Sequence, residues 1–278
     1  MQPDKIEKLG NSVIQHGPFN RRIYLMKLAE KDLPGIIDKM QNFAKKNQYT
    51  KIFCKVPSKF ENFFTDKGYK KEAFIPKHLN CLLDLSFVSK FLDKERENNY
   101  KKDEIDKIIS IAKEKAGTDG KTPPEGKFTI RKAEGKDAPE MAEIYKVVFK
   151  TYPFPIHDPE YIKKTMQENI SYFLACEGDK IAAASSAEKD EKNHAVEMTD
   201  FATLPDYRGN GLAVILLDRM EKEMKNEKYI TSYTIARAAS AGMNITFSRR
   251  EYEYSGTLIN NTNISGNIES MNIWHKKL

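Results

Sequence analysis

The second half of the chain alternates between strand-like and helix-like hydrophobic patterns. Residues 128–133, FTIRKA, alternate apolar and polar side chains, and residues 171–190 predict two strands joined at the turn EGDK. The run HAVEMTDFATL, residues 194–204, predicts a longer strand. Residues 209–227 predict a helix, because VILLDRMEKEM carries apolar side chains at helical spacing.

Other segments of this half have similar patterns. Two helices are predicted over residues 138–150 and 159–169, separated by the proline-rich and aromatic loop TYPFPIHDP. The remaining predicted elements are a strand at 229–238, a helix at 240–250 and closing strands at 252–259 and 270–277. This order of strands and helices predicts an α/β (α+β) fold.

A breaker-rich segment predicts a domain boundary. Residues 117–127, GTDGKTPPEGK, contain glycines, adjacent prolines and no apolar side chain. We therefore predict an N-terminal domain over 1–116, a linker over 117–127 and a C-terminal domain over 128–278. Residues 91–116 alternate in charge with sparse apolar positions, which predicts an exposed connecting helix before the linker.

The N-terminal half faintly repeats part of the C-terminal half. Residues 52–75 align with residues 235–259, so that Phe64 falls on Phe247 and Gly68 falls on Glu251. Both stretches predict strand, helix, tight turn and strand. The N-terminal domain is either a degenerate half-copy of the C-terminal fold or an independent βαβ unit, since such units converge easily.

Charge and cysteine usage narrow the class of protein. The net charge of +6 arises from 46 basic and 40 acidic residues. Because the two kinds are interleaved along the chain, the excess is compatible with an anionic cofactor but does not indicate a nucleic-acid partner. The three widely spaced cysteines form neither a disulfide framework nor a metal motif, so we expect a reduced, cytoplasmic protein without metal. The sequence has no signal-peptide pattern and no apolar run of bilayer length, so no membrane partner is expected.

A short glycine motif lies at the predicted strand-to-helix junction. Arg208, Gly209 and Gly211 precede the amphipathic helix, where backbone amides lack intrahelical partners and attract anions. The motif lacks the Gly-Lys-Ser/Thr of a P-loop and the third glycine of a dinucleotide fingerprint. It predicts a phosphate site, with a plain glycine-rich turn as the alternative.

Residues 204–217, LPDYRGNGLAVILL, resemble the acetyl-coenzyme A motif of the GCN5-related N-acetyltransferase (GNAT) family, and the order of elements from 128 to 278 is similar to that fold. The resemblance implies a mixed, mostly antiparallel central sheet flanked by helices, with acetyl-CoA as cosubstrate. Residues 234–250 and 252–274 are similar to the β-lysine N-ε-acetyltransferases, whose product is a compatible solute.

The same resemblance implies how the cofactor binds. The sheet would open beside the backbone of Phe201, Ala202 and Thr203, which would pair with the pantetheine arm like an added strand. Pyrophosphate would lie against the start of the helix. The residues implied for that cradle are Arg208, Gly209, Asn210, Gly211, Leu212 and Ala213.

Two carboxylates are candidates for acid–base chemistry. An alkyl ammonium with a pKa near 10.4 must lose a proton before it attacks a thioester. Glu197 precedes Arg208 by eleven residues, where several family members carry a glutamate base, and Asp200 is nearby. In a regular strand these two side chains face opposite ways, so only a bulge would bring them together. One is the expected base and the other an anchor for substrate; the alternative is a solvated strand charge.

The sequence also departs from the family pattern. Phe247 stands where the family has a tyrosine that protonates the leaving thiolate, and Glu251 stands where its turn has glycine. In the aromatic loop, Tyr152 and Phe154 are candidates to line an acceptor channel and Asp158 to meet an ammonium; the alternative is a loop that is simply packed.

These observations predict an N-acetyltransferase for a small amine, β-lysine by resemblance. Alternatives are another small amine, such as lysine or a polyamine, and an acyl-CoA-binding regulator without catalysis. The oligomeric state stays open.

Overall fold

The computed structural model describes residues 4–80, 82–120 and 125–278, and its strands form two sheets. The N-terminal sheet contains β1 (Lys5–Leu9), β2 (Ser12–Gly17), β3 (Arg22–Lys27), β4 (Lys51–Pro57), β5 (Lys70–Leu79) and β6 (Leu83–Phe91). The C-terminal sheet contains β7 (Thr129–Lys132), β8 (Ile170–Glu177), β9 (Lys180–Asp190), β10 (Ala195–Thr203), β11 (Thr231–Arg237), β12 (Glu253–Ile264) and β13 (Asn267–Lys277).

Helices cover both sheets. They are α1 (Gly35–Lys46), α2 (Glu61–Thr65), α3 (Lys94–Glu97), α4 (Lys102–Glu114), α5 (Ala138–Val148), α6 (Pro159–Gln167), α7 (Leu212–Asn226) and α8 (Ala241–Arg249). The elements predicted for the C-terminal half are confirmed in kind and order, although α7 begins later than the predicted residue 209.

The two sheets share one topology. The N-terminal order is β1-β2-β3-β4-β6-β5, and the C-terminal order is β8-β9-β10-β11-β13-β12 with β7 added beside β8. In each sheet the third and fourth strands of this order pair in parallel and their neighbours pair antiparallel. The expectation of a mostly antiparallel sheet, with an N-terminal half-copy of the fold, is confirmed.

The resemblance between the halves extends to local geometry. Phe64 and Tyr69 meet edge to face at 5.4 Å between ring centroids, and Phe247 and Tyr252 do so at 5.0 Å. In both cases the tyrosine amide donates to the phenylalanine carbonyl at 3.1 Å. The residue before the tyrosine has positive φ in each half, and the second copy carries a glutamate there.

A large apolar cluster joins the two sheets. Tyr24 and Phe87 from the N-terminal sheet belong to the same buried cluster as Tyr145, Tyr233 and Leu258 from the C-terminal half. The N-terminal sheet therefore packs against the face of the C-terminal sheet that also carries α5 and α6. The opposite face of the C-terminal sheet buries α7 and α8 in a second cluster.

Buried polar contacts fix the same interface. Lys51 donates to Glu72 at 2.8 Å and to the Ile259 carbonyl at 2.7 Å, and Arg22 donates to Thr262 at 3.0 Å and to the Asn261 carbonyl. Charged groups this deeply buried are tolerated only when they are paired, so each fixes the position of one half against the other.

The prediction of one exposed connecting helix over residues 91–116 is wrong. Phe91 ends β6, a short α3 follows, and α4 buries Ile105, Ile108 and Ile109 as it packs against α8. The sparse apolar residues all fall on one side of α4, which is enough to dock it.

The last strand of the N-terminal sheet ends at Phe91 and the first strand of the C-terminal sheet begins at Thr129. The predicted linker 117–127 lies between these two residues. Part of it, residues 121–124, lies outside the described residues, as does Cys81, and the domain boundary stays a prediction. None of the described helices combines the length and the apolar composition that crossing a bilayer requires.

Replacing Glu251 with glycine tests the strain in the second copy of the turn. Glu251 has a φ of 62°, whereas Gly68 occupies the matching position at 80°. An L-residue in this region costs about 1 kcal/mol, so Glu251→Gly should raise the melting temperature by about 2 °C. Gly68→Ala should lower it by a similar amount in the same calorimetric scan. A fall for Glu251→Gly would contradict this account.

Candidate functional site

A cavity opens where two central strands separate. β10 and β11 pair in parallel only from Ala195–Glu197 to Thr231–Tyr233, although both strands continue beyond that point. The cavity of about 690 Å³ lies between their separated ends. It confirms the open sheet that the family resemblance implied.

The start of α7 forms one end of this cavity. Gly209 and Gly211 have φ values of 82° and 76°, and Gly211 precedes the helix without a side-chain cap. The Val214 amide donates to the Gly211 carbonyl at 3.0 Å, but the five amides from 209 to 213 have no acceptor among the described residues. Free amides at the positive end of a helix dipole fit a diphosphate.

The glycine at 209 also leaves room for a ligand. A Cβ added to Gly209 would meet no protein atom within 4 Å, so the space beside this backbone is open. Asn210 is not part of the cavity lining, and its side-chain amide donates to the Tyr207 carbonyl at 2.9 Å. The residues present therefore fit the pyrophosphate of coenzyme A.

The lining of the cavity includes two arginines. Arg208 lines the cavity as expected, and Arg249 from α8 lines it as well. The Nε of Arg249 is buried without a partner among the described residues, which leaves a donor available to an anion. Sequence reasoning missed Arg249, since nothing in its local pattern distinguishes it from the many surface basic residues.

A β-bulge in β10 determines where the carboxylates lie. The pairing of β10 with β9 shifts register between Thr199 and Ala202, and Asp200 has a φ of 55°. The bulge adds one residue, so Asp200 points to the same face as Glu197 instead of the opposite one. This is the arrangement that the sequence required if the two carboxylates were to act together.

Asp200 lines the cavity and is held tightly. Its carboxylate accepts a hydrogen bond from Ser186 at 2.6 Å and another from Tyr152. Burial raises the pKa of Asp200, while the hydrogen bonds from Ser186 and Tyr152 oppose that rise. A carboxylate that is fixed in this way is better suited to anchor a substrate than a mobile carboxylate is.

Glu197 lies at the last position where β10 pairs with β11, outside the residues that line the cavity. It stands opposite Glu188 on β9 and Tyr233 on β11. Burial, reinforced by the charge of Glu188, raises the pKa of Glu197 to about 7, and Lys55 partly offsets the rise. A half-buried carboxylate with a pKa near 7 can accept a proton at physiological pH.

The aromatic loop divides between the cavity and the core. Tyr152 lines the cavity, and Phe154 packs against the buried cluster between the halves. Asp158 is exposed and caps α6, accepting a hydrogen bond from the Glu160 amide at 2.9 Å. The structure therefore places Tyr152 beside Asp200 and leaves the Asp158 carboxylate occupied by its helix.

Phe247 lines the cavity and is fully buried, with its ring edge-on to Phe201 at 5.6 Å. Tyr252 packs edge-on against Phe247 with ring centroids 5.0 Å apart, and its hydroxyl shares a 2.6 Å hydrogen bond with Ser232. No group of metal-ligating side chains with suitable geometry occurs in the described part of the chain.

The predicted site residues fall into two sets. Those that line the cavity are Tyr152, Asp200, Phe201, Thr203, Arg208, Gly209, Gly211, Leu212 and Ala213. Those described here that lie outside its lining are Phe154, Asp158, Glu197, Ala202 and Asn210. Sequence reasoning missed Lys55, Glu188 and Tyr233, which surround Glu197 and come from separate strands.

Replacing Glu197 with glutamine should stabilise the fold in a pH-dependent way. The pKa of Glu197 rises from 4.5 to about 7 on folding, so the folded state holds the proton more tightly and the wild type loses stability as pH rises between those values. The melting temperature of Glu197→Gln should match the wild type at pH 5 and exceed it at pH 8. Thermal scans at both values measure this, and an equal gain at both would contradict a raised pKa.

Comparison with known proteins agrees with this geometry. Residues 139–242 match the acetyltransferase (GNAT) family. The chain is 43% identical to a protein named Beta-lysine N(6)-acetyltransferase from Methanococcus maripaludis, over 98% of both chains. It is 35% identical to the N-acetyltransferase YodP of Bacillus subtilis, over 96% of both chains.

A second protein named Beta-lysine N(6)-acetyltransferase, from Methanosarcina mazei, is 34% identical over 76% of this chain and 85% of its own length. The matches to the Methanococcus maripaludis and Bacillus subtilis proteins cover both halves of the chain, so these relatives share the N-terminal half. The open sheet, the bare helix start and these relatives together show that the chain belongs to the GNAT family and is an acetyl-CoA-dependent N-acetyltransferase.

Proposed function

We propose that the enzyme transfers an acetyl group from acetyl-CoA to the side-chain (ε) amine of β-lysine, giving N-ε-acetyl-β-lysine, a compatible solute. The similarity to two relatives that carry this activity in their names, one over 98% of the chain, is the observation that carries the proposal. The acidic face of β9 and β10 supports it, because a diamine is a cation near neutral pH and is attracted to Glu188, Glu197 and Asp200.

Acetyl-CoA would lie along the opening between β10 and β11. The amides of residues 209–213 would hold the pyrophosphate, with Arg208 and Arg249 beside it. The backbone of Phe201, Ala202 and Thr203, left unpaired on the β11 side, would bind the pantetheine arm as an added strand. This arrangement brings the thioester toward the bulge at Asp200.

In the proposed reaction the ε-ammonium gives its proton to Glu197, directly or through one water. The neutral amine then attacks the thioester carbonyl carbon, a C–N bond forms, and the C–S bond breaks with the electron pair leaving on sulfur. The nitrogen releases its second proton to water as the neutral amide forms. Phe247 offers no proton at the position of the family tyrosine, so the thiolate would take its proton from solvent. Asp200, fixed by Ser186 and Tyr152, would anchor the substrate.

The buried free thiols of Cys54 and Cys176 fit a reducing compartment, which supports a cytoplasmic location. Lysine or a polyamine in place of β-lysine is the alternative acceptor. A coupled assay of free coenzyme A release separates them: kcat/KM should be at least about 10-fold higher with β-lysine than with lysine or putrescine. A higher value with either competitor would overturn the proposed acceptor.

Replacing Gly209 with valine should block the diphosphate. The added side chain would fill the open space beside the amides, so KM for acetyl-CoA should rise about 10-fold or more while KM for the amine changes little. Gly178→Val is the matched control, because Gly178 also has positive φ and open space but lies in the β8–β9 turn. An equal rise in both variants would indicate backbone strain and not a lost cofactor contact.

Replacing Glu197 with glutamine should remove the acid limb of the pH profile. In the wild type kcat/KM for the amine should rise with pH through about 7 as Glu197 loses its proton. The variant should be slower by about 100-fold at pH 8 and lack that inflection. Glu191→Gln, on the exposed turn before β10, should behave as wild type. Unchanged turnover across pH would exclude Glu197 as the base.

A further inference from the structure

The N-terminal half reaches the catalytic carboxylates through one side chain. Lys55, on β4, donates from Nζ to the hydroxyl of Tyr233 at 3.3 Å, and Nζ lies 5.8 Å from the centre of that ring. Tyr233 stands directly opposite Glu197 where β10 and β11 last pair. Tyr233 therefore links a cation of the half-copy, Lys55, to the candidate base, Glu197.

Charges on several elements surround this point. Glu188 faces Glu197 across β9 and β10, and His78 from β5 packs edge-on against the Tyr233 ring at 5.1 Å. The titratable and charged groups that interact with Glu197 or Lys55 are Tyr24, His78, Glu188, Asp190, Asp200 and Tyr233. One step further out, Lys27 and Tyr161 interact with Glu188, and His275 interacts with His78. Carboxylates outnumber cations in this set, so each cation has a large effect on the others.

Lys55 keeps its charge in this environment. Burial lowers its pKa, but Tyr24, Glu197 and Glu188 together carry the pKa above the ordinary value of a lysine. Its ammonium in turn lowers the pKa of Glu197 and of Glu188. The pair of glutamates across β9 and β10 would otherwise hold protons more tightly, because like charges at this separation resist ionisation.

We propose that Lys55 is a positioning residue for acetyl transfer: its ammonium, held on Tyr233 by the N-terminal half, keeps the opposed Glu188 and Glu197 carboxylates ionised so that Glu197 accepts the substrate proton. The inference rests on the proposed role of Glu197 as base. It gives the half-copy a function in the reaction beyond covering one face of the catalytic sheet.

In the described part of the half-copy, the segment between β3 and α1 does not repeat the arginine and glycines that precede α7. Where the C-terminal half has Arg208 and its glycines, the segment between β3 and α1 carries Asp32. The Asp32 carboxylate accepts hydrogen bonds from the Asn11 amide at 2.8 Å and the Ser12 hydroxyl at 2.7 Å. An acidic group at this place repels a diphosphate, so this segment does not offer the anion site expected at the start of α7.

The test compares Lys55→Met, Lys55→Arg and the control Lys59→Met by the pH dependence of kcat/KM for the amine. Loss of the ammonium raises the pKa of Glu197, so the acid limb of Lys55→Met should move up by about one pH unit, with about a 10-fold loss at pH 6.5 and little loss above pH 9. Lys55→Arg retains the charge and should restore most of the profile. Lys59, on the surface beside Glu30, should have no effect when replaced.

A uniform loss of rate at all pH values in Lys55→Met, or an unmoved limb, would overturn the proposal. If Lys55→Met does not fold, Lys55→Arg and Lys55→Gln decide the question, since only the variant without charge should shift the limb. Glu197→Gln measured alongside separates the two proposals. If the acid limb persists in Glu197→Gln, Glu197 is not the base. If the limb is lost in Glu197→Gln but does not move in Lys55→Met or Lys55→Gln, only the proposed role of Lys55 is overturned.

Discussion

The early end of the pairing between β10 and β11 is the constraint on which the enzyme depends. Two parallel strands that continued to pair would satisfy each other's amides and carbonyls and leave no cleft in the centre of the sheet. Here the ladder ends at Glu197 and Tyr233, while both strands run on and diverge. The backbone edges exposed in this way and the bare start of α7 form one continuous set of hydrogen-bonding groups. In the proposed binding mode acetyl-CoA would satisfy these backbone groups, with Arg208 and Arg249 beside its pyrophosphate.

Separation of the strands also requires support on both faces. On one face Phe247 lies edge-on to Phe201 and fills the space behind the opening, and α8 holds it there. On the other face the bulge at Asp200 turns a carboxylate toward Ser186 and Tyr152. Phe247, which stands where the family resemblance implies a tyrosine, therefore packs the cleft but has no hydroxyl to donate a proton. A thiolate is a good enough leaving group to depart without that proton.

The N-terminal half resembles the catalytic half in topology but differs where chemistry requires particular residues. It repeats the strand order, the parallel pair and the Phe-Tyr contact after the second helix. It does not repeat the glycine segment before α1, and its sheet is buried against the face of the C-terminal sheet that carries α5 and α6. The buried Lys51–Glu72 pair of the N-terminal half fixes this docking through Ile259, whose carbonyl accepts from Lys51 and whose amide donates to Glu72, each at 2.7 Å.

Local sequence determined much of the fold and one end of the site. The periodicity of α7, the alternation of the strands and the glycines at 209 and 211 depend on near neighbours in the chain, and the structure has each of them as predicted. The positive φ of Glu251 was also readable, because Gly68 stands at the matching place in the first copy. Backbone freedom and hydrophobic period are properties of a few consecutive residues, so they can be inferred before the chain is folded.

Only the tertiary structure decided how the acidic end of the site is assembled. The bulge at Asp200 depends on the register between β9 and β10, and Lys55 comes to Glu197 only because the halves dock face to face. The same holds for α4, whose few apolar residues are buried only because α8 lies opposite them. Pairing register and domain docking are set by contacts between residues far apart in the chain. The pKa of a carboxylate depends on all the charges and burial that those contacts bring to it, so it could not be inferred from its own stretch of sequence.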